Sequence, residues 1–457
     1  MRARVGPRFS AEDGDVRHLA KRRWPRILAI VWPFLCLVVL EGEVLGWRAE
    51  VAEAERLGGT PRDFLSFYTG ALLLSQGHGD SLYDLQLQES TQQSLLSAEA
   101  TDRLHEQVRA QALPFLNPPF VALMFLPLTH LNLPQAYTVW LVANVGFLGA
   151  LVALLTSSFR YWSRGEHLVA GLTALTFLPA YFAVWQGQIS TLLALTVALA
   201  WLAFRRGHDG AGGFALALLL AKPQYCVLAF LWLLWRSRWR ALGGFGLGVA
   251  LLGLLALMTA GPVAVLSWVR LLTQAPQLGS YYGAHPDLMF TWSGFLSALT
   301  GRAVLTAKEA APFLIWALLE VTTLSIVAIR RFQPSAIRSS PSFQGAVVLV
   351  SSVLVSLHTN VQDLVLLVVA GYLIWDLMRL KERPLVRAMW LAGLLGMHVL
   401  VLGLFLLKAA FHAMPYPNMV VVPVLALWLM LLAALTPPFS ARPPVPTARS
   451  GEAALTP

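Results

Sequence analysis

Polar side chains are scarce in this chain, and a few stand where they could do chemistry. Asp63 lies in Thr60-Pro61-Arg62-Asp63-Phe64-Leu65-Ser66-Phe67-Tyr68, at the start of a helical pattern. A carboxylate placed there can act as a general base, taking the proton of a hydroxyl as its oxygen attacks. The same position after Thr60 suits a helix cap worth about 1 kcal/mol, and spacing alone leaves both readings open. His358 and Asp363 bracket His-Thr-Asn-Val-Gln-Asp, an imidazole with a carboxylate near enough to orient it beside a departing phosphate. Equally, that stretch satisfies a helix terminus, with Asp363 at the positive end of the dipole. Lys222 stands among apolar residues, where an unpaired ammonium costs several kcal/mol. A lipid-borne phosphate is the partner its chemistry suggests, and snorkelling outward to water is the other option. Gln186-Gly187-Gln188 sets two amides around a glycine, suited to a hydroxyl-rich ligand, although a polar turn is required there anyway. Gln224 and Asn360 adjoin Lys222 and His358, and Tyr68 and Tyr282 add phenol rings.

Other chemistries find little support. Asp80 and Asp84 are neither spaced as a DxD pair nor clustered with further oxygen ligands. No Walker motif, zinc-ligand spacing or Gly-rich dinucleotide fingerprint occurs. No cofactor is expected; a divalent metal is allowed but demanded by no ligand cluster. Cys36 and Cys226 both lie in apolar stretches and suggest neither a disulfide nor a metal site.

These residues sit in a chain of 457 residues that is 57% hydrophobic and 13% charged. That balance excludes an ordinary soluble domain. The net charge of +10 comes from short basic clusters between apolar runs, the pattern of cytoplasmic loops rather than of a nucleic-acid binder. The expected fold is an all-α polytopic membrane protein of about 11–13 spans. Spans are expected near 28–47, 134–156, 168–185, 189–204, 211–221, 224–235, 241–260, 311–330, 343–357, 364–378, 388–410 and 418–435. Pro127 and Pro134 allow 119–156 to split into a short helix and a full span. The helices at 211–221 and 224–235 are too short to cross alone and meet at Lys222-Pro223. Broken backbone at that depth survives only beside protein or water.

The domain division expected is a basic cytoplasmic segment 1–26, one membrane domain 27–436 and a disordered tail 437–457. The basic clusters put the first loop, 48–117, and most of the polar residues above on the extracytoplasmic side of a bacterial plasma membrane. Helices are expected in that loop from Pro61 to Gly77, from Leu85 to Leu96 and from Ala98 to Ala112, lying along the membrane interface.

Asp63-Phe64 through Tyr83-Asp84, Asn117-Pro118-Pro119 with Pro127-Leu128, Gly187-Gln188 with Arg205-Arg206 through Lys222-Pro223, and His358 to Asp363 together resemble glycosyltransferase family 87. The resemblance implies a multispanning enzyme of GT-C architecture that takes mannose or a related sugar from a polyprenyl-phosphate donor. It implies an acidic catalytic residue early in the first outer loop, matched by Asp63, and a late polar turn with a histidine, matched by His358. The chain departs from the family at that turn, where a Tyr-Asp or Trp-containing sequence is more usual. On this reading Lys222 meets the donor phosphate, while Tyr68, Gln186, Gln188, Gln224, Tyr282, Asn360 and Asp363 bind sugar or acceptor. The partners are then the lipid-linked donor, a lipid or glycan acceptor and membrane lipids, with no nucleic acid. A transporter or flippase of a lipid-linked sugar, or a cell-envelope glycan polymerase or ligase, are the alternatives.

Overall fold

The computed structural model describes residues 62–97, 113–278, 289–301, 310–328, 340–356, 358–379 and 417–434, with a few single positions elsewhere. The segment 1–26, the first span, the helix at 98–112, Tyr282, the span at 388–410 and the tail from 437 lie outside the described residues, apart from single positions such as Trp32 and His398. All regular structure among the described residues is helical.

The described part of the 48–117 loop contains α1 (Arg62–Ser75) and α2 (Leu85–Ser97), as its helical spacing predicts. A run from Phe64 to Ala71 in α1 is buried on every side, so this helix is enclosed by the rest of the chain. The region around Pro127 does split. Helix α3 (Pro119–Phe125) passes into a 3-10 turn (Leu126–His130), and Asn132 then caps α4 (Leu133–Ser158), its side chain accepting from Gln135 N. Pro134 stands in the first turn of α4, where its missing N–H costs nothing.

The span expected at 168–185 is broken. Helices α5 (Arg164–Leu175) and α6 (Leu178–Trp185) meet at 48° around Thr176 and Phe177, because Pro179 starts a new helix. Helix α7 (Ser190–Arg205) follows. The Lys-Pro break is also present. Helix α8 (Asp209–Leu216) tightens into a 3-10 turn (Ala217–Ala221), Lys222 adopts φ −130° and ψ 86°, and α9 (Pro223–Trp235) begins.

One boundary differs from expectation. The span is expected to end at 260, yet α10 (Trp239–Leu278) continues through a kink at Gly261, where φ is +83°. Gly-Pro reads as a stop, but Pro262 also suits the first turn of a new helix, so the chain bends and resumes. The remaining described helices are α11 (Trp292–Thr300), α12 (Ala310–Ala328), α13 (Pro341–Val355), α14 (Leu366–Arg379) and α15 (Asn418–Ala434).

Among the described residues, three helical stretches can cross a bilayer by length and apolarity: Leu133–Ser158, Trp239–Leu272 and Val361–Met378. The bent α5–α6 pair makes a fourth, and seven shorter apolar helices accompany them. Large apolar side chains face outward, among them Val142 at 66% and Met258 at 75% exposure. A soluble protein does not present such faces, and these helices fit a membrane protein.

Candidate functional site

Aromatic packing fixes where α1 begins. Phe64 lies against Tyr137 (ring centroids 5.3 Å apart) and Phe125 (6.2 Å), and Phe67 stacks on Phe125 at 4.8 Å. From α4, Tyr137 donates to Trp185 O at 2.6 Å and Trp140 Nε1 donates to Gly187 O at 2.8 Å. These bonds hold the Gln186-Gly187-Gln188 turn beneath α1. Gly187 has φ +67°, and a Cβ there would stand 2.8 Å from Phe64 Cβ, so only glycine lets the two segments meet.

That close approach delivers Gln188 to Asp63. Gln188 Nε2 donates to Asp63 Oδ2 at 2.7 Å, and Gln362 Nε2 reaches the same oxygen at 3.4 Å. Asp63 is half-buried and joins two turns that lie 125 and 299 residues away in the chain. Amide donors stabilise the ionised carboxylate, which is the form a base needs. Gln188 Oε1 and Gln186 Oε1 are buried acceptors without a hydrogen-bond partner. A buried acceptor left so costs about 1–3 kcal/mol, and such atoms are frequent where a ligand or water belongs.

The Lys222-Pro223 break lies in the same region. Lys222 forms an ion pair with Asp363 and donates to Ser190 Oγ at 3.0 Å, while Ser190 Oγ donates to Asp363 Oδ1 at 2.7 Å. All three are nearly covered: Lys222 at 8%, Asp363 and Ser190 at 1%. The freed carbonyl of Ala221 accepts from Asn117 Nδ2 at 3.0 Å, and Tyr83 in turn donates to Asn117 O at 2.6 Å. Burial pushes the Tyr83 phenol well up, so it remains a donor. The break is thus filled by polar groups of the protein, which satisfy the backbone it frees.

The turn before α14 completes the cluster. Gln224 Nε2 donates to His358 O at 3.1 Å, Tyr225 OH donates to Thr359 Oγ1 at 3.0 Å, and Phe290 N donates to Thr359 O at 2.9 Å. Asn360 Nδ2 lies 3.1 Å from His358 Nε2, and as donor it leaves the ring proton on Nδ1. Burial holds His358 below its usual value, with Lys222 adding to that and Asp363 opposing it, so the ring is neutral near pH 7. Asn360 N donates to Asp363 Oδ2 at 3.4 Å.

Asp63, Gln188, Lys222, Gln224, His358, Asn360 and Asp363 are therefore linked through one hydrogen-bonded neighbourhood, with Gln186 in the same turn as Gln188. Tyr68 is placed otherwise: its hydroxyl donates to Leu131 O at 2.8 Å, tying α1 to the turn before α4. Sequence reasoning missed Ser190, a serine in the first turn of an apolar helix, and the bracing pair Tyr137 and Trp140. Only its place two residues after Gln188 singles Ser190 out. No group of three or more His, Cys, Asp or Glu that could hold a metal occurs among the described residues.

A family model for glycosyltransferase family 87 matches residues 115–357, more than half of the chain. The chain belongs to glycosyltransferase family 87. It is therefore a glycosyltransferase, which uses a sugar donor and an acceptor. The match includes Asn117, the Gln186–Gln188 turn, Ser190, Lys222 and Gln224. Asp63 and His358 to Asp363 lie beyond its ends and are tied to it by the hydrogen bonds above. Comparison with curated proteins and with solved structures gives no match.

Proposed function

We propose that this family 87 member is a multispanning GT-C-type enzyme of the bacterial plasma membrane that transfers a sugar, mannose in the first instance, from a polyprenyl-phosphate donor to a lipid or glycan acceptor on the extracytoplasmic face. The observation that carries this reading is the meeting of Asp63 with two glutamines from turns 125 and 299 residues away, beside the Lys222–Asp363 pair. A helix cap alone needs none of those partners.

In the proposed reaction Asp63 takes the proton of an acceptor hydroxyl whose oxygen attacks the anomeric carbon. The bond from that carbon to the phosphate oxygen breaks as the new glycosidic bond forms, with inversion. The electron pair leaves with the lipid phosphate. Lys222 has three N–H groups; Ser190 and Asp363 take two, and the third is available to a phosphate oxygen. Neutral His358 can donate from Nδ1 to the same phosphate. Gln186 and Gln188, with their unpartnered carbonyl oxygens, are acceptors for sugar hydroxyl protons, and Gln224 and Asn360 hold the histidine turn. Tyr282 completes the proposed binding set, whereas the Tyr68 hydroxyl is engaged by Leu131 O and positions α1.

The test is transfer of label from polyprenyl-phosphate-mannose to a membrane lipid extract by purified wild type and Asp63→Asn. Loss of a general base predicts a drop of roughly 100-fold or more in the variant. Equal product from both reduces Asp63 to a helix cap. No product from either, with labelled lipid moving across vesicles, turns the reading to a flippase.

A further inference from the structure

A groove that shares no lining residue with the Asp63 cluster has no part in the chemistry above. It lies between α5 and α14 and is partly open. Trp32, His398 and Trp428 also line it. The break between α5 and α6 frees the Thr173 carbonyl, and His398 Nε2 meets it at 2.9 Å. Thr173 Oγ1 accepts from Trp32 Nε1 at 2.7 Å, and Glu166 accepts from Ser163 N and Oγ at 2.7 and 2.8 Å. With these polar groups engaged inside the wall, the groove offers rings and hydrocarbon, so its occupant is a hydrocarbon chain.

Length and charge narrow the choice. From Glu166 to Ala174, and from Leu367 to Trp375, the helical rise is about 12 Å. That approaches the ~15 Å hydrocarbon depth of one leaflet, half of the ~30 Å core. Trp162 and Tyr372, 5.7 Å apart, mark the end of the groove nearer the basic loops. Next to Trp162 and Glu166 in the chain stand Arg160 and Arg164, both exposed and neither paired with a carboxylate among the described residues. Basic rims on pockets between membrane helices attract anionic headgroups.

We propose that this groove holds one acyl chain of an anionic phospholipid from the leaflet on the side of the basic loops, its phosphate at Arg160 and Arg164. The lipid fills the space beside the broken α5–α6 pair. The site is independent of the transferase reaction and stands whether or not Asp63 is the base.

The test is native mass spectrometry of the full-length protein in detergent after exposure to vesicles of phosphatidylglycerol or of phosphatidylcholine. Wild type is expected to retain one phosphatidylglycerol in preference to phosphatidylcholine. Arg160→Gln/Arg164→Gln is expected to retain about tenfold less. A Cβ built on Gly371, which lines the groove, meets no heavy atom within 4 Å, so Gly371→Leu enters the void without a backbone clash and should abolish retention. Gly371→Ala controls for folding and should behave as wild type. No bound lipid in wild type, equal retention of both lipids, retention unchanged by Gly371→Leu, or a co-purified polyprenyl phosphate indifferent to the arginines would each overturn the proposal.

Discussion

The Lys222–Asp363 pair allows a prediction whose size follows from burial. Asp363 is 1% exposed and Lys222 8%, so neither charge has water to fall back on. Asp363→Asn keeps the shape, removes the negative charge and leaves a buried ammonium with Ser190 Oγ as its partner at 3.0 Å. The expected loss of stability is about 3–5 kcal/mol. Lys222→Met leaves the carboxylate with the Ser190 hydroxyl at 2.7 Å and Asn360 N at 3.4 Å, and a loss of similar size is expected. The double variant Lys222→Met/Asp363→Asn removes both charges and should cost only about 1–2 kcal/mol, chiefly because Ser190 loses its charged acceptor. The coupling energy of the cycle is then several kcal/mol. Unfolding in detergent, followed by the fluorescence of the 16 tryptophans, measures each stability. If the double variant instead shows the sum of the single losses, the pair does not exist in the folded protein and the account of the break is refuted. A recovered fold with no transfer activity would separate the structural role of Lys222 from its proposed contact with the phosphate.

Gln188→Ala and Gln362→Ala each remove a donor to Asp63 and should lower kcat, with the larger effect at Gln188, whose bond is 2.7 Å against 3.4 Å. Charge-assisted bonds of this kind contribute about 1.5–3 kcal/mol, so steady-state transfer rates resolve the two. Gly187→Ala forces a side chain into φ +67° and onto Phe64; a loss of about 1–3 kcal/mol in unfolding free energy together with reduced transfer is expected. His358 stays neutral below its usual range, so as pH falls below about 6.5 the unfolded state takes a proton first and stability declines, to level off below the folded-state value. His358→Gln should remove that acid-side decline from the stability profile, and an unchanged profile would show that another group causes it.

Much of the fold was legible because punctuation in the sequence is local. Pro119, Pro134 and Pro223 each stand in the first turn of a helix, where the ring suits the backbone and the missing N–H was unpaired anyway. Pro179 does the same, yet the expected span at 168–185 runs through it. The expected span ending at 260 instead continues past Gly261-Pro262. A glycine with positive φ followed by a proline marks both an end and a beginning, and only packing decides whether the second helix continues the first. Here Gly79 leaves its place to no larger residue, since a Cβ there would stand 2.7 Å from Ala260 O; the first loop is seated directly on the kink.

The candidate site was legible residue by residue but not as an arrangement. Asp63, Lys222 and the turn from His358 to Asp363 could each be picked out, because polar groups in so apolar a chain need a reason. What a local pattern cannot contain is that Lys222 is already paired with Asp363, or that Gln362 reaches Asp63. Those contacts depend on Gly187 letting α1 settle on the glutamine turn, and on Tyr137 and Trp140 holding that turn from a third helix. The pairing also changes what Lys222 can offer. An ammonium already balanced by a carboxylate attracts an incoming phosphate less than a lone one would, but it is held in place and pays no desolvation as the lipid phosphate departs. In the proposed reaction the lysine serves less to capture the donor than to stabilise the charge that grows on it, which favours the transition state over the bound substrate.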